Sequence, residues 1–175
     1  QLALDQVLDA VCQIGQAAMQ PDLPALLESV CRAAGRVIEA DHFAIGLHDP
    51  VEEALHFEVL YEAGERRPPF LLRQSEGWGL AGRVFEQQTA LLCPDLLADS
   101  LAGEALPLGE APRSFLGVPL SVEQAVIGVL AVQSAVAEAF TPTDQLVLEA
   151  VASQAAAAIA DQEYHRAHER RIAQL

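Results

Sequence analysis

The sequence predicts an α+β domain organised around an antiparallel sheet. Apolar residues recur with a helical period over roughly the first forty residues and then alternate with polar residues as in strands. A helical segment with an N-terminal cap ends the chain. At the centre, the apolar runs Phe115–Val122 and Val126–Gln133 flank the short polar step Glu123–Gln124 within Arg113–Ser134. This pattern predicts a β-hairpin in the middle of the sheet.

Two helices are predicted before the first strand. Apolar residues recur at intervals of three and four over residues 2–19, and again from Leu23 to about residue 39. Gln20–Pro21 is expected to end the first helix. Asp22 is the predicted N-cap of the second helix, which has Pro24 in its first turn.

The spacing of apolar residues then changes from a helical period to strand-like alternation. Residues 43–47 and 55–61 alternate on either side of the turn Asp49–Pro50, which predicts a strand pair. Shorter strands are predicted at Phe70–Leu72 and Ala90–Cys93.

A roof of less regular segments is predicted between these strands and the hairpin. Residues 76–88 form a short helix after a glycine-rich start. Residues 94–112, called the 94–112 loop below, show no period and are rich in Gly and Pro. A connection of this length in a compact domain is typically functional.

The last helix has a clear start and no predicted stop. Thr141, Pro142 and Asp144 form a capping box with proline at the first helical position. The polar tail 160–175 is expected to leave the domain as an exit helix toward an output domain.

Charge and composition exclude several functions. The net charge of −15 repels a phosphate backbone, so nucleic-acid binding is not expected. Every cationic side chain is Arg, and the chain has no Lys and no Asn. Schiff-base and Walker-type lysine chemistry are therefore excluded.

The cysteines indicate a reducing cytoplasm, and the apolar runs indicate a soluble segment. Cys12, Cys31 and Cys93 are an odd set without metal-ligand or disulfide spacing. No apolar run is long enough to cross a bilayer, and the first residues lack a signal-peptide pattern. Because the sequence opens without Met, we expect a segment of a longer chain.

Five segments in order resemble the GAF domain family, the sensory fold related to PAS domains. They are Gly79–Phe85 (GLAGRVF), Thr89–Asp95 (TALLCPD), Arg113–Leu120 (RSFLGVPL), Val126–Val132 (VIGVLAV) and Phe140–Asp144 (FTPTD). The resemblance covers the whole chain and implies one domain over residues 1–175. It implies a six-stranded antiparallel sheet with the N- and C-terminal helices on one face and a loop-covered ligand pocket on the other.

The implied pocket has a roof formed by residues 76–88 and 94–112 and a floor formed by one face of the sheet. Because a shift of one residue exchanges the two faces of a strand, the sequence leaves open which face is the floor. Arg113 is either a ligand contact or a surface ion pair, and Trp78 either caps the pocket or packs beneath the loop. The expected ligand-binding residues are Phe43, Ile45, Phe57, Val59, Phe115 and Val132 in the floor, Trp78 and Leu80 in the roof, and the polar Asp95, Asp99, Ser100, Arg113 and Ser114.

The family's known ligands are disfavoured one by one. The Asn-Lys-Phe-Asp-Glu motif of cyclic-nucleotide-binding members is impossible without Asn and Lys. Bilin-binding members attach the chromophore through a roof Cys followed by His, but here Cys93 precedes Pro94. No His lies between residues 57 and 164, so neither a bilin nor a haem ligated from the roof is expected. The cofactor, if any, stays unknown.

We expect a cytoplasmic sensory domain that binds an unknown small molecule and transmits its state through the terminal helices. Those helices are expected to form a homodimer and to act on a linked output domain, a histidine kinase of a two-component system or a diguanylate cyclase. The alternative is a ligand-free dimerisation and coupling module whose pocket is collapsed.

Free methionine sulfoxide reductases also resemble the fold but need two cysteines over one pocket. Only Cys93 is near the roof, so a redox sensor or such an enzyme is a minor alternative, and no catalytic or metal-binding residue is predicted.

Overall fold

The computed structural model describes residues 4–17, 22–109 and 111–174. Helix α1 spans Leu4–Ala17 and helix α2 spans Leu23–Val37. The Asp22 carboxylate accepts a hydrogen bond from the Ala25 N–H at 2.8 Å, which confirms the predicted N-cap. The predicted ends of the first helix, including its Gln20–Pro21 stop, lie outside the described residues.

The middle of the chain forms one antiparallel sheet. Both β3 and β4 pair with β2, and the order across the sheet is β3-β2-β1-β7-β6-β5, so seven described strands occupy six positions. The predicted α+β class and antiparallel sheet are confirmed, with the two-residue β3 as an addition. The strands are β1 (His42–Asp49), β2 (Ala54–Glu62), β3 (Glu65–Arg66), β4 (Phe70–Arg73), β5 (Leu91–Cys93), β6 (Ser114–Val122) and β7 (Ala125–Ser134).

The predicted hairpin lies inside this sheet, with β7 next to β1 in the middle and β6 between β7 and the edge strand β5. Strands β6 and β7 are joined by Glu123 and Gln124, which both have positive φ, 49° and 71°. Two successive positive φ values are typical of the turns that match the right-handed twist of a two-residue hairpin. The hairpin forms although neither position holds the usual Asn or Gly.

Two further helices complete the fold. Helix α3 (Gly79–Gln87) and a single 3-10 turn (Ala102–Glu104) contribute to the roof. Helix α4 (Pro142–Ala173) begins with the predicted capping box, in which Thr141 and Asp144 exchange side-chain and backbone hydrogen bonds. None of the described helices is apolar over a length that could span a membrane.

The sheet separates two apolar cores. Helices α1, α2 and α4 pack on one face, against side chains such as Leu116, Val118 and Leu130. Helix α3 and the 94–112 loop cover the opposite face, against side chains such as Phe57, Phe115 and Val129. These faces are called the helical face and the loop face below.

A β-bulge decides which residues of β2 reach the loop face. The register between β1 and β2 shifts where Ile45 pairs with Val59 and Gly46 pairs with Phe57. Glu58 is the extra residue, so Phe57 and Leu60 share the loop face although they are three positions apart. The shift turns Val59 and Tyr61 to the helical face.

Candidate functional site

A row of side chains in register, which begins with three polar residues, crosses the loop face. Glu62 is the register partner of His42, which is the partner of Gln133 on the next strand. The row continues through Phe115 to Cys93 at the sheet edge. Residues in register on adjacent antiparallel strands place their side chains on the same face.

Gln133 ties the roof to the sheet. Its side chain is fully buried, and its Oε1 accepts a hydrogen bond of 2.7 Å from the backbone N–H of Leu106 in the 94–112 loop. Its Nε2 is therefore the donor, and it donates to Nδ1 of His42 at 3.1 Å.

This bond sets the tautomer of His42. Because Nδ1 accepts from Gln133, the ring proton of neutral His42 lies on Nε2, which is 3.7 Å from Oε1 of Glu62. Burial lowers the pKa of His42, against smaller opposing effects of the Glu62 and Asp41 carboxylates. His42 is therefore neutral near pH 7, and the 3.7 Å approach is neither an ion pair nor a hydrogen bond.

Glu62 has one occupied and one free oxygen. Oε2 accepts a hydrogen bond from Arg67 at 3.0 Å, whereas the buried Oε1 has no hydrogen-bond partner among the described groups. The carboxylate lies directly beneath Gly109, where a Cβ atom would overlap it. It borders an open cavity of about 360 Å³ between the edge of β2 and the loop, lined by Leu60, Glu62, Arg67, Pro68, Phe70, Pro107, Leu108 and Gly109.

Asp95 and Arg113 close the base of the 94–112 loop. The Arg113 guanidinium donates to both carboxylate oxygens of Asp95 at 3.0–3.2 Å. Asp95 also accepts hydrogen bonds from the N–H groups of Leu97 and Ala98. The hydrogen bond from Arg113 and then that from Ala98 lower the pKa of the Asp95 carboxyl. Both predicted site residues are thus brought together as an ion pair that joins the two ends of the loop.

The predicted floor is divided between the two faces of the sheet. Phe57 and Phe115 lie on the loop face with Leu80 of α3, where the floor and roof were expected. The placement of Phe43, Ile45, Val59 and Val132 in that floor is wrong, because all four lie on the helical face. Val59 changes sides through the bulge, and the alternation of β1 and β7 places the other three opposite the loop.

Three predicted polar contacts lie away from the cavity. Ser114 is buried, and its hydroxyl donates to the Val136 carbonyl at 2.7 Å. Asp99 and Ser100 are exposed on the 94–112 loop, and Ser100 has a positive φ of 57°. None of the three is among the residues that line the cavity beside Glu62.

Trp78 packs beneath the roof. Its indole N–H donates to Glu86 at 2.8 Å, and its ring lies against Gly82, where a Cβ atom would overlap it. It meets the Phe85 ring edge-on at 5.6 Å, and His48 stacks on Phe85 at 4.3 Å. Of the two interpretations of Trp78, these contacts support the packing role.

The cysteines do not converge on one site. Cys31 lies in the helical-face core, Cys93 lies in the loop-face core and Cys12 is exposed. Burial raises the pKa of Cys31 to about 12 and also raises that of Cys93. No cluster of three or more potential metal ligands occurs in the described parts of the chain.

The sequence interpretation missed His42, Glu62, Arg67 and Gln133. A usable signal was Gln133, a polar residue that directly follows the apolar run of β7, because a buried amide requires hydrogen-bond partners. The position of Glu62 depends on the bulge, which the sequence of β2 does not predict.

Comparison with known proteins agrees with this architecture. A family model described as GAF domain matches residues 20–160. The GAF domain of a phosphoenolpyruvate-protein phosphotransferase from Acinetobacter is 22% identical, with a TM-score of 0.70 over 92% of this chain and 94% of that chain. The corresponding domain from Coxiella burnetii is 21% identical, with a TM-score of 0.70 over 93% and 98%.

An enzyme is also among the similar structures. Free methionine-R-sulfoxide reductase from Neisseria meningitidis, in complex with its substrate, is 19% identical, with a TM-score of 0.72 over 94% of this chain and 96% of that chain. At these identities the structural matches show the fold, and the family model shows the membership. The chain belongs to the GAF domain family.

Proposed function

We propose that the chain is a regulatory domain of a larger cytoplasmic signalling protein and that it senses a small molecule under the 94–112 loop. The observation that carries the proposal is the free Oε1 of Glu62, a buried acceptor beside a cavity of about 360 Å³. An unpartnered buried acceptor costs about 1–3 kcal/mol, and a ligand that donates an N–H or O–H there removes that cost. The ligand's apolar part would contact Leu60, Phe70 and Leu108.

The terminal helices are the proposed route of transmission. Helix α4 packs on β6 and on α1 at the helical face, and its described side chains from Arg166 to Gln174 are exposed. The exposed side chains at this end of the helix support a connection to a linked output domain, which in our proposal is a histidine kinase or a diguanylate cyclase. Large apolar side chains are exposed on α1 and α4 at Leu4, Leu8, Leu146 and Ile172, which supports a homodimer through these helices.

One observation favours a second candidate, a ligand-free dimerisation and coupling module. Leu96, Leu106 and Leu108 of the 94–112 loop are buried against the sheet, so leucines already occupy part of the space beneath the roof. In this candidate the loop only stabilises the domain, and α1 and α4 carry the function.

Native mass spectrometry of the purified chain, followed by a thermal-shift screen with a metabolite library, separates the two candidates. Sensing predicts a retained small molecule or a compound that raises Tm, and Glu62→Gln reduces the effect. Glu65→Gln, an exposed change on β3 with the same loss of charge, is the control and keeps it. Repeated absence of both signals supports the coupling module.

We further propose that the chain is not a reductase. The cysteine mechanism needs a thiolate and a second thiol that meet at one pocket. Cys31 and Cys93 lie on opposite faces of the sheet, and both have raised pKa values. The same burial of Cys93 argues against the alternative of a redox sensor at this residue.

A further inference from the structure

A second cleft lies on the other side of the sheet from the 94–112 loop. It is an open cavity of about 440 Å³ between α2 and the turn that joins β2 to β3, lined by Cys31, Arg32, Gly35, Arg36, Phe43, Tyr61 and Gly64. Phe43 and Tyr61 are register partners on adjacent strands, and both are only partly buried. Their side chains form an aromatic floor beneath α2.

Two cationic side chains, Arg32 and Arg36, line this cleft and form no ion pair with any carboxylate in the described part of the chain. Of the seven arginines that precede α4, five (Arg66, Arg67, Arg73, Arg83 and Arg113) are ion-paired with carboxylates. Arg32 and Arg36 have no such carboxylate among the described residues. The nearby Glu28 is already paired with Arg66. In a chain of net charge −15, two arginines on one cleft wall that no described carboxylate neutralises favour the approach of an anion there.

The local structure explains only part of this arrangement. Arg36 lies in the last turn of α2, where a cation is favoured by the helix dipole, but Arg32 lies one turn earlier. Gly35 lies within the helix, where glycine is less favourable than Ala. Packing does not require it, because a Cβ there would be 3.8 Å from the Phe43 ring. Its effect is to leave the floor open between the two arginines.

We propose that this cleft binds a small organic anion, with its flat apolar part on Phe43 and Tyr61 and its carboxylate or phosphate group on Arg32 and Arg36. Guanidinium groups bind carboxylates and phosphates through paired charge-assisted hydrogen bonds, and aromatic rings accept a flat ligand on their faces. The site does not share a residue with the cavity beside Glu62. Either site can therefore exist without the other.

The test uses 2-naphthoate as the probe and the neutral 2-naphthylmethanol as its matched partner. Binding of 2-naphthoate should shift the amide resonances of Gly35 and Gly64 in ¹H–¹⁵N spectra. The amide resonances of Leu106 and Leu108, which lie on the loop face, should stay unchanged. We expect the alcohol to bind about tenfold more weakly or worse, because it lacks the charged group.

Variants of the chain test the two arginines directly. Arg32→Gln/Arg36→Gln should weaken 2-naphthoate binding about tenfold or more. The control Arg170→Gln/Arg171→Gln removes the same charge from the exposed end of α4 and should leave it unchanged. Gly35→Leu, which favours the helix and fills the cleft, should abolish binding without lowering Tm. The proposal would be overturned if the acid and the alcohol bound equally well, or if the double arginine variant bound 2-naphthoate as tightly as wild type. It would also be overturned if the shifted amide resonances were confined to the loop face, or if binding did not saturate at about 10 mM 2-naphthoate.

Discussion

The backbone N–H of Leu106 donates a hydrogen bond of 2.7 Å to Oε1 of Gln133, which lies 27 residues later in the chain. Gln133 is completely buried in the central strand β7, and Leu106 belongs to the loop that covers it. This bond attaches the roof to the sheet and, through Nε2 of Gln133, aligns His42 with Glu62.

Replacement of Gln133 by Leu should destabilise the domain. Leu106 N–H loses its acceptor and His42 Nδ1 loses its donor, so the free energy of unfolding should fall by about 1–3 kcal/mol. Urea denaturation measures the change. Gln87→Leu, an exposed position at the end of α3, is the matched control and should stay within about 0.5 kcal/mol of wild type. Equal stability of the two variants would contradict the anchoring role.

The stability of the fold should fall as pH decreases through the titration range of histidine. Burial lowers the pKa of His42 in the folded state, so below about pH 6.5 the unfolded chain takes up the proton more readily. The contribution of neutral His42 to the free energy of unfolding is therefore complete above that pH and is lost progressively below it. Asp95, whose pKa is lowered, does not titrate in this window.

Urea unfolding between about pH 7.5 and 5.5 measures this dependence. His42→Gln should flatten the decline, whereas His56→Gln, a change of an exposed histidine on β2, should preserve it. A decline that is identical in wild type and His42→Gln would assign it to another group.

Asp95 should control the mobility of the 94–112 loop through two separable contacts. Asp95→Asn keeps a side-chain oxygen for the N–H groups of Leu97 and Ala98 but loses the charge that pairs with Arg113. Asp95→Ala loses both. Hydrogen exchange at these two amides should be slowest in wild type, faster in Asp95→Asn and fastest in Asp95→Ala. The same rates in all three proteins would show that the loop does not depend on this pair.

Gly46 should be required by the Phe57 ring. A Cβ at position 46 would stand 2.7–2.9 Å from three ring atoms of Phe57, so Gly46→Ala forces a buried ring to move. We expect a loss of about 1–3 kcal/mol in the free energy of unfolding. Gly103→Ala, where nothing lies within 4 Å, is the control and should change it by less than about 0.5 kcal/mol. Equal effects would mean that Phe57 has room to move.

Thiol labelling should distinguish the three cysteines. Cys12 is exposed, whereas Cys31 and Cys93 are buried with raised pKa values. A thiol reagent at neutral pH should therefore modify Cys12 in the folded chain and all three after unfolding. Rapid labelling of Cys93 in the folded chain would support a redox sensor at this residue. Reduction of free methionine-R-sulfoxide by the chain, abolished by Cys93→Ser, would support a reductase.

Periodic segments of the fold were predictable, whereas the site depended on local irregularity. Helix α2, the β6–β7 hairpin and the Thr141 cap follow from apolar spacing and capping chemistry, which act over a few residues. The bulge at Glu58 breaks the alternation of β2, so sequence alternation placed Val59 with Phe57 instead of opposite it.

The polar residues show the same limit. Asp95 and Arg113 lie at the two ends of one predicted loop in the sequence, and in the structure they form an ion pair there. The placement of His42 between Gln133 and Glu62 depends on the register of three strands, which no short segment specifies.

Hydrogen–deuterium exchange at the Leu106 and Leu108 amides tests sensing under the loop most directly. The full chain is measured alone and with fractions of a small-molecule cell extract. We predict that one fraction slows exchange at these amides and raises Tm in wild type. Glu62→Gln should reduce both effects, whereas Glu65→Gln should keep them. Unchanged exchange at Leu106 and Leu108 with every fraction, in a chain whose helices stay protected, would contradict ligand sensing.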